Sequence, residues 1–245
     1  MEIKIEINNK IARRAKAAAG FKVLGTQITF DNNYEVELES RLMKADKAFW
    51  ANWGLLGCIS VPLEKRLAIF TSAVNATMLW CAGTWNLTRA QNEKIRVRQM
   101  RLIRRMLRLK RREGELMGDF LHRANGILKE KLNTMGIAFE TWDIQATQLR
   151  FVWDGHVARM RINDPDRPTY RVLKHWDYGL IVSKIELHHH GRQCHNRHLH
   201  IWRWEYNMYR FIGLKWRGLA YGRDAWKEKK VYVAQFKATK GNISL

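Results

Sequence analysis

Seven side chains able to ligate a metal crowd into thirteen positions late in this chain: His188, His189, His190, Cys194, His195, His198 and His200. His195 and His198 would share a helical face, and with His190 and Cys194 they form the best candidate ligand set for a zinc-like ion. The spacing argues against it. Structural zinc sites separate two ligand pairs by about a dozen residues, so the segment reads first as a basic loop beside phosphate, with no metal expected. A nuclease of the HNH type, using His190, Asn196 and His200, would spread its members over a whole ββα unit. Gly54 and Gly57 lack the Lys-Ser/Thr of a phosphate loop, and no Ser, His, Asp triad or thiol nucleophile stands out.

A stronger chemical signal runs from Thr88 to Arg112. Between Arg89 and Arg112 there are eleven Lys or Arg and one acid, Glu93. Wound as one helix, Lys94, Arg98, Arg101, Arg105, Arg108 and Arg112 recur at spacings of 4, 3, 4, 3 and 4 and form a single cationic stripe. Ile95, Leu102, Ile103, Met106, Leu107 and Leu109 gather on another face. Such a helix packs inward on one side and offers a polyanion a row of charge on the other. Solvated charged faces normally carry acid partners at i,i+4. This one has none, so the stripe is predicted to contact nucleic-acid phosphate.

The whole chain agrees with that sign. It has 245 residues, a formal charge of +21 and 46% hydrophobic residues, including 11 Trp. It is therefore long and apolar enough to bury a core, and a polyanionic partner is expected, most simply RNA or DNA. Charge is uneven: residues 61–112 sum to +11 and 191–245 to +9, around a near-neutral middle. Cys58, Cys81 and Cys194 are too few and too scattered for a disulfide framework. No membrane span or secretory signal is visible, which predicts an intracellular, nuclear protein without a membrane partner.

The elements that must position these residues follow from periodicity. The fold class expected is mainly α, with a small N-terminal antiparallel β-hairpin or sheet, then an antiparallel helical bundle and further C-terminal helices. Residues 1–33 form the β region: Ile3, Ile5 and Ile7 alternate with charge, Asn8-Asn9 can turn the chain, and Phe21–Phe30 again reads as strand. Residues 34–112 form the bundle. Val36, Leu38, Leu42, Ala45, Phe49 and Trp53 mark a first helix ending near Gly54 and Gly57. Pro62 opens a second in its first turn, with Leu63, Leu67, Phe70, Val74 and Leu79 inward, running to Gly83. Thr88 caps the third. Residues 113–164 form a helical connection, with helices around Phe120–Leu132 and from Thr141 through Val157. The Asp164-Pro165-Asp166-Arg167-Pro168 break opens a basic, aromatic-rich region, 165–245, with a short helix over Thr169–His175. Its Trp202, Trp204, Tyr206, Tyr209, Phe211 and Trp216 read more readily as core than as base-stacking residues.

Several phrases, in order, carry a resemblance. Phe21-Lys22-Val23-Leu24-Gly25-Thr26-Gln27-Ile28 leads into a helix bearing Glu39-Ser40-Arg41-Leu42. Lys65-Arg66-Leu67 precedes Leu79-Trp80-Cys81-Ala82-Gly83-Thr84-Trp85-Asn86-Leu87-Thr88, and Gln99-Met100-Arg101-Leu102-Ile103-Arg104-Arg105-Met106-Leu107 follows. Trp153-Asp154-Gly155-His156-Val157-Ala158-Arg159-Met160 comes later, and Gly222-Arg223-Asp224-Ala225-Trp226 near the end. Together they resemble the thumb and C-terminal region of non-LTR, LINE-type retrotransposon reverse transcriptases, covering residues 20–160 well and the remainder loosely.

The resemblance implies that Phe21, Lys22, Leu24 and Gly25 lie in a hairpin gripping the primer end. It also implies that helices over 34–112 form a thumb along an RNA–DNA duplex, with a polymerase palm and fingers upstream as partner. Those polymerases hold two metal ions on paired aspartates. None of the nine aspartates here is adjacent to another, and the catalytic strands of the resembling proteins precede residue 1. Magnesium is thus expected only for that catalytic part, no catalytic residue is assigned, and the chain is expected not to polymerise alone. Two other readings stay open: a metal-dependent nuclease built on the His188–His200 cluster, and a domesticated nucleic-acid-binding adaptor.

Overall fold

A computed structural model describes residues 5–7, 10–12, 21–28, 34–85, 87–163, 212–213 and 215–229. It is mainly helical and divides into two compact units, one of Met1–Cys81 with Leu87–Asp143, the other of Ala82–Asn86 with Ile144–Leu245.

The first unit begins with two separate two-stranded hairpins rather than one sheet. β1 (Ile5–Ile7) pairs antiparallel with β2 (Lys10–Ala12), closing at Ile7↔Lys10 across the Asn8-Asn9 link. The stretch read as one strand from Phe21 is itself a hairpin, β3 (Phe21–Val23) and β4 (Thr26–Ile28), in the register Val23↔Thr26. The alternation of 21–30 concealed its turn, where Leu24 at φ 48° and Gly25 at φ 87° both take left-handed backbone. Two positive φ values in a two-residue loop match the twist of the flanking strands. Glycine takes its position freely, whereas leucine pays a steric penalty.

Helix α1 (Glu35–Ala51) carries Glu35 and Glu37 in its first turn, where the helix dipole favours anions. Its Leu38, Leu42, Ala45 and Phe49 are buried at helical spacing, while Val36 stays at the surface. The helix ends before the predicted glycines, at Asn52, whose side-chain amide bonds the Ala48 carbonyl at 2.8 Å. Asparagine offers its own hydrogen bond in place of the next helical one. Trp53 consequently starts a separate turn, α2 (Trp53–Leu56).

The second predicted helix exists in three parts. Pro62, extended at ψ 143°, is the residue before α3 (Leu63–Ile69) rather than a member of its first turn. A π-helical ring follows over Phe70–Asn75, then α4 (Ala76–Met78). The π ring adds one residue to the turn, so the 3.6-residue period loses phase, and fully buried Met78 takes the core place expected of Leu79.

Helix α5 (Arg89–Met106) starts at Thr88 through a reciprocal capping box with Gln91. It buries Ile95, Leu102, Ile103 and Met106 and stops at Met106, six residues short of the expected Arg112. Past it the chain reverses through Arg108, at φ 55°. Helix α6 (Met117–Thr134) supplies Ala124, Leu128 and Leu132 to the core. Trp142 closes this unit: its ring stacks on Phe70 at 6.2 Å and 13°, its indole N–H donates to Asn75 Oδ1 at 2.7 Å, and its backbone N–H donates to Gln99 Oε1 at 2.6 Å. These bonds satisfy the acceptor oxygens of Asn75 and Gln99, two buried amides that an apolar-periodicity reading passes over.

In the second unit α7 (Trp142–Asn163) packs against a 3-10 turn over Ala82–Thr84 and the segments α8 (Trp216–Tyr221) and α9 (residues 223–229). Arg150 donates to the carbonyls of Thr84 at 3.1 Å and Trp85 at 2.7 Å. Trp226 stacks face to face on Phe151 at 4.1 Å and donates to its carbonyl at 3.1 Å. A β-carbon on Gly155 would sit 2.1 Å from the Trp226 indole nitrogen, so only glycine admits that ring. Arg159 bonds the Ala220 carbonyl at 2.7 Å. The W-x-GHVARM phrase and the Gly222–Trp226 phrase, some seventy residues apart, therefore meet through Gly155 and Trp226. Trp216 is core, as its type predicts.

Candidate nucleic-acid interface

The six predicted stripe residues do not share one environment. Lys94 is bracketed by Glu35 and Glu39 of α1; the hydrogen bonds it donates to these two carboxylates raise its pKa, and the bond from Lys94, with one from Gln91, lowers that of Glu35. Arg98 pairs with Asp46 at 3.2 Å. The acid partners that sequence missed thus come from α1, not from i,i+4 positions on α5. Only tertiary packing supplies them. Glu35 and Glu39 both serve Lys94 and Asp46 serves Arg98, a pairing that no spacing within either helix announces.

From Arg101 onward the pattern changes. Arg101 and Arg105 are exposed on the last turns of α5, whereas Arg108 and Arg112 lie beyond its end and are not in helical register with them. Arg108 donates from Nε to the Gly57 carbonyl at 2.9 Å, tying the reversal to the end of α2. The Arg105 guanidinium lies over the Trp50 ring, 5.1 Å from its centre. Arg104 bonds Asn125 of α6 at 3.1 Å, and burial pulls its pKa down. Arg101, Lys110 and Arg111 have no acid partner among the described residues, whereas Glu115 lies against Arg112 and accepts from its backbone N–H at 2.9 Å.

Arg101, Arg104, Arg105, Arg108 and Lys110 line a cleft of about 710 Å³. Its walls are Trp50 and Trp53 from the α1–α2 corner, Arg101, Arg104 and Arg105 from α5, Arg108, Leu109 and Lys110 from the reversal, and Met117, Phe120 and Leu121 from α6. Five cations, three aromatic rings and no carboxylate face one space. Trp50 is 46% exposed, unusual for so large an apolar group. Trp50 and Trp53 lie 5.2 Å apart. A planar anionic ligand is what such a wall suits, since rings supply stacking surface and guanidiniums charge. Sequence reasoning missed Trp50, Arg104, Lys110 and Phe120, because each belongs to a different element.

The β3–β4 hairpin forms a second feature. Its tip is Leu24, 88% exposed, with Lys22 also exposed. It is fastened to α1 and to Trp80: Gln27 N donates to Glu37 Oε2 at 2.7 Å, Arg41 donates to the Gly25 carbonyl at 2.7 Å, and the Trp80 indole N–H donates to the Leu24 carbonyl at 3.3 Å. Leu24 and Gly25 thus occupy a held turn, and Lys22 lies on the strand that leads into it. The side chain of Phe21 is outside the described residues.

The candidate metal ligands His190, Cys194, His195 and His198 also lie outside the described residues, as do the Pro165–Pro168 break, the helix expected over Thr169–His175 and the aromatic residues from Trp202 to Phe211. Among the described residues there is no group of three or more potential metal ligands, and no helix is long and apolar enough to cross a membrane. No family model, no curated protein and no solved structure matches this chain.

Proposed function

We propose that this chain is a nucleic-acid-binding module, the thumb-like and C-terminal part of a non-LTR retrotransposon reverse transcriptase. It holds an RNA–DNA template-primer duplex by phosphate contacts. The observation that carries this reading is the cleft that gathers Arg101, Arg104, Arg105, Arg108 and Lys110 with no carboxylate in its lining, continued by exposed Arg111. Like charges crowded without counterions repel, and phosphate relieves that repulsion. In this reading α1, the α3–α4 run and α5 form an antiparallel thumb bundle, and the Leu24 hairpin is the primer-facing turn. Because the contacts are to phosphate, binding is indifferent to sequence. No two of the nine aspartates are adjacent in sequence, and in this reading the chain's own residues bind and position the duplex.

The test is a gel-shift titration of the chain against an RNA–DNA duplex over a range of salt. Replacing Arg101, Lys110 and Arg111 together by Ala should flatten the dependence of log affinity on log salt by about 0.9 for each phosphate that the variant no longer neutralises. Unchanged affinity and slope would overturn the reading.

A further inference from the structure

Within that reading, the cleft has a property that phosphate binding does not require: an exposed aromatic ring with a guanidinium laid over it. Phosphate needs only charge, and Arg101 and Lys110 supply it without help. Trp50 nevertheless keeps nearly half its surface in solvent, and Arg105 sits over that ring, making neither an ion pair nor a hydrogen bond among the described residues. Trp50 is fixed from behind by Phe49, edge-on at 5.3 Å, and by Trp53 at 5.2 Å. Phe49 is itself fully buried. The platform is therefore anchored in the core and open at the front.

We propose that the Trp50–Arg105 pair is a stacking platform for an unpaired nucleobase, with Arg101 and Lys110 holding the flanking phosphates. The ligand class is single-stranded nucleic acid, RNA or DNA, at or next to the duplex. Three observations converge. The surface presents planar groups, which a base can cover and a phosphate cannot use. The cleft contains no carboxylate to repel the backbone on either side. Its volume, about 710 Å³, lies in the range of pockets that take a small organic ligand. A base pair inside a duplex has both faces already stacked, so this platform selects a base that is flipped out, overhanging or in a single strand.

This inference rests on the nucleic-acid reading, and the experiment separates the two. Affinities of the full chain are measured at one salt concentration for a single-stranded dodecamer carrying bases and for an abasic dodecamer with the same number of phosphates, in RNA and DNA forms. The base-bearing strand should bind about tenfold more tightly, the effect of one stacked base. Arg105→Lys keeps the charge and removes the plane; it should abolish the preference for bases, so that this variant binds the base-bearing and the abasic strand equally. Trp50→Leu, which keeps apolar bulk, should do the same, and Trp50→Tyr should restore most of the preference. Equal affinity for the two strands, or a preference that survives Arg105→Lys and Trp50→Leu together, overturns the platform while phosphate binding stands. Failure to bind any strand overturns both. A preference seen for RNA and not DNA would still support the platform and place a ribose contact beside it.

Discussion

Glu37 and Arg41, one turn apart on α1, form a buried ion pair at 2.6 Å, and each uses its remaining capacity on the same hairpin. Glu37 accepts from Gln27 N, and Arg41 donates to the Gly25 carbonyl. A buried pair satisfied in this way resists removal of either half alone, because the survivor is left charged and unmatched. Glu37→Ala or Arg41→Ala should each cost about 3 kcal/mol. Replacing both by Leu and Met should cost less than the sum. Denaturant unfolding of the three variants measures this, and strict additivity would show that the two residues act separately.

Leu24 holds a left-handed backbone that asparagine tolerates far better. Leu24→Asn, at an 88% exposed position, leaves the core untouched and should raise stability by about 1 kcal/mol. A higher denaturation midpoint with unchanged slope is the expected result; a lower midpoint would mean that the leucine is held by packing of its own.

Lys94 and Arg98 are engaged by Glu35, Glu39 and Asp46, so they have less charge to offer a ligand than Arg101 or Lys110. Replacing Lys94 and Arg98 together by Ala should leave the salt dependence of duplex binding nearly unchanged, whereas the Arg101 and Lys110 pair of substitutions should flatten it by about 1.8. Equal effects from the two pairs would show that the α1 carboxylates release their partners on binding.

Glu115 accepts from Arg123 at 2.7 Å and from the Arg112 backbone, and these bonds hold its pKa down to about 2 from an ordinary 4.5. A carboxyl depressed on folding stabilises the folded state fully above its unfolded pKa and gives up that contribution as pH falls toward the folded one. The stability gap between the natural chain and Glu115→Gln should be widest above about pH 4.5 and shrink steadily from there toward about pH 2. Melting temperatures of both proteins across that range read it directly; a constant gap would remove the ion pair from the account.

Gly155→Ala would force a β-carbon into the Trp226 ring, which cannot retreat while it is stacked on Phe151 and bonded to its carbonyl. A destabilisation of about 2 kcal/mol is expected, with a changed near-ultraviolet signal from the displaced indole. Trp226→Leu should soften the loss on top of Gly155→Ala, since the smaller side chain vacates the space.

The existence and rough positions of α1, α5, α6 and α7 were legible because each buries a stripe repeating at helical spacing; Leu38, Leu42, Ala45 and Phe49 are an unbroken example. The ends were less legible. Asn52 stops α1 by a side-chain bond that competes with several glycine signals nearby, and α5 stops at Met106 although arginines, good helix formers, continue beyond it. The cationic stripe was visible as composition but not as environment, because the carboxylates that neutralise its first half lie about fifty residues away on α1. The cleft was not visible at all. Trp50, Arg105 and Phe120 come from three helices, and no local spacing brings them together.

The π ring at Phe70–Asn75 has a consequence for how this helix can change. Each residue advances a helix by about 100°, so losing any one of the six would close the wide turn to an ordinary one and swing everything after it around the axis. Asn75 would leave Trp142, and Met78 would leave the core. Exposed positions within the ring, such as Thr71 and Ser72, should accept many side chains. What this stretch cannot surrender is its length: it tolerates respelling but not omission.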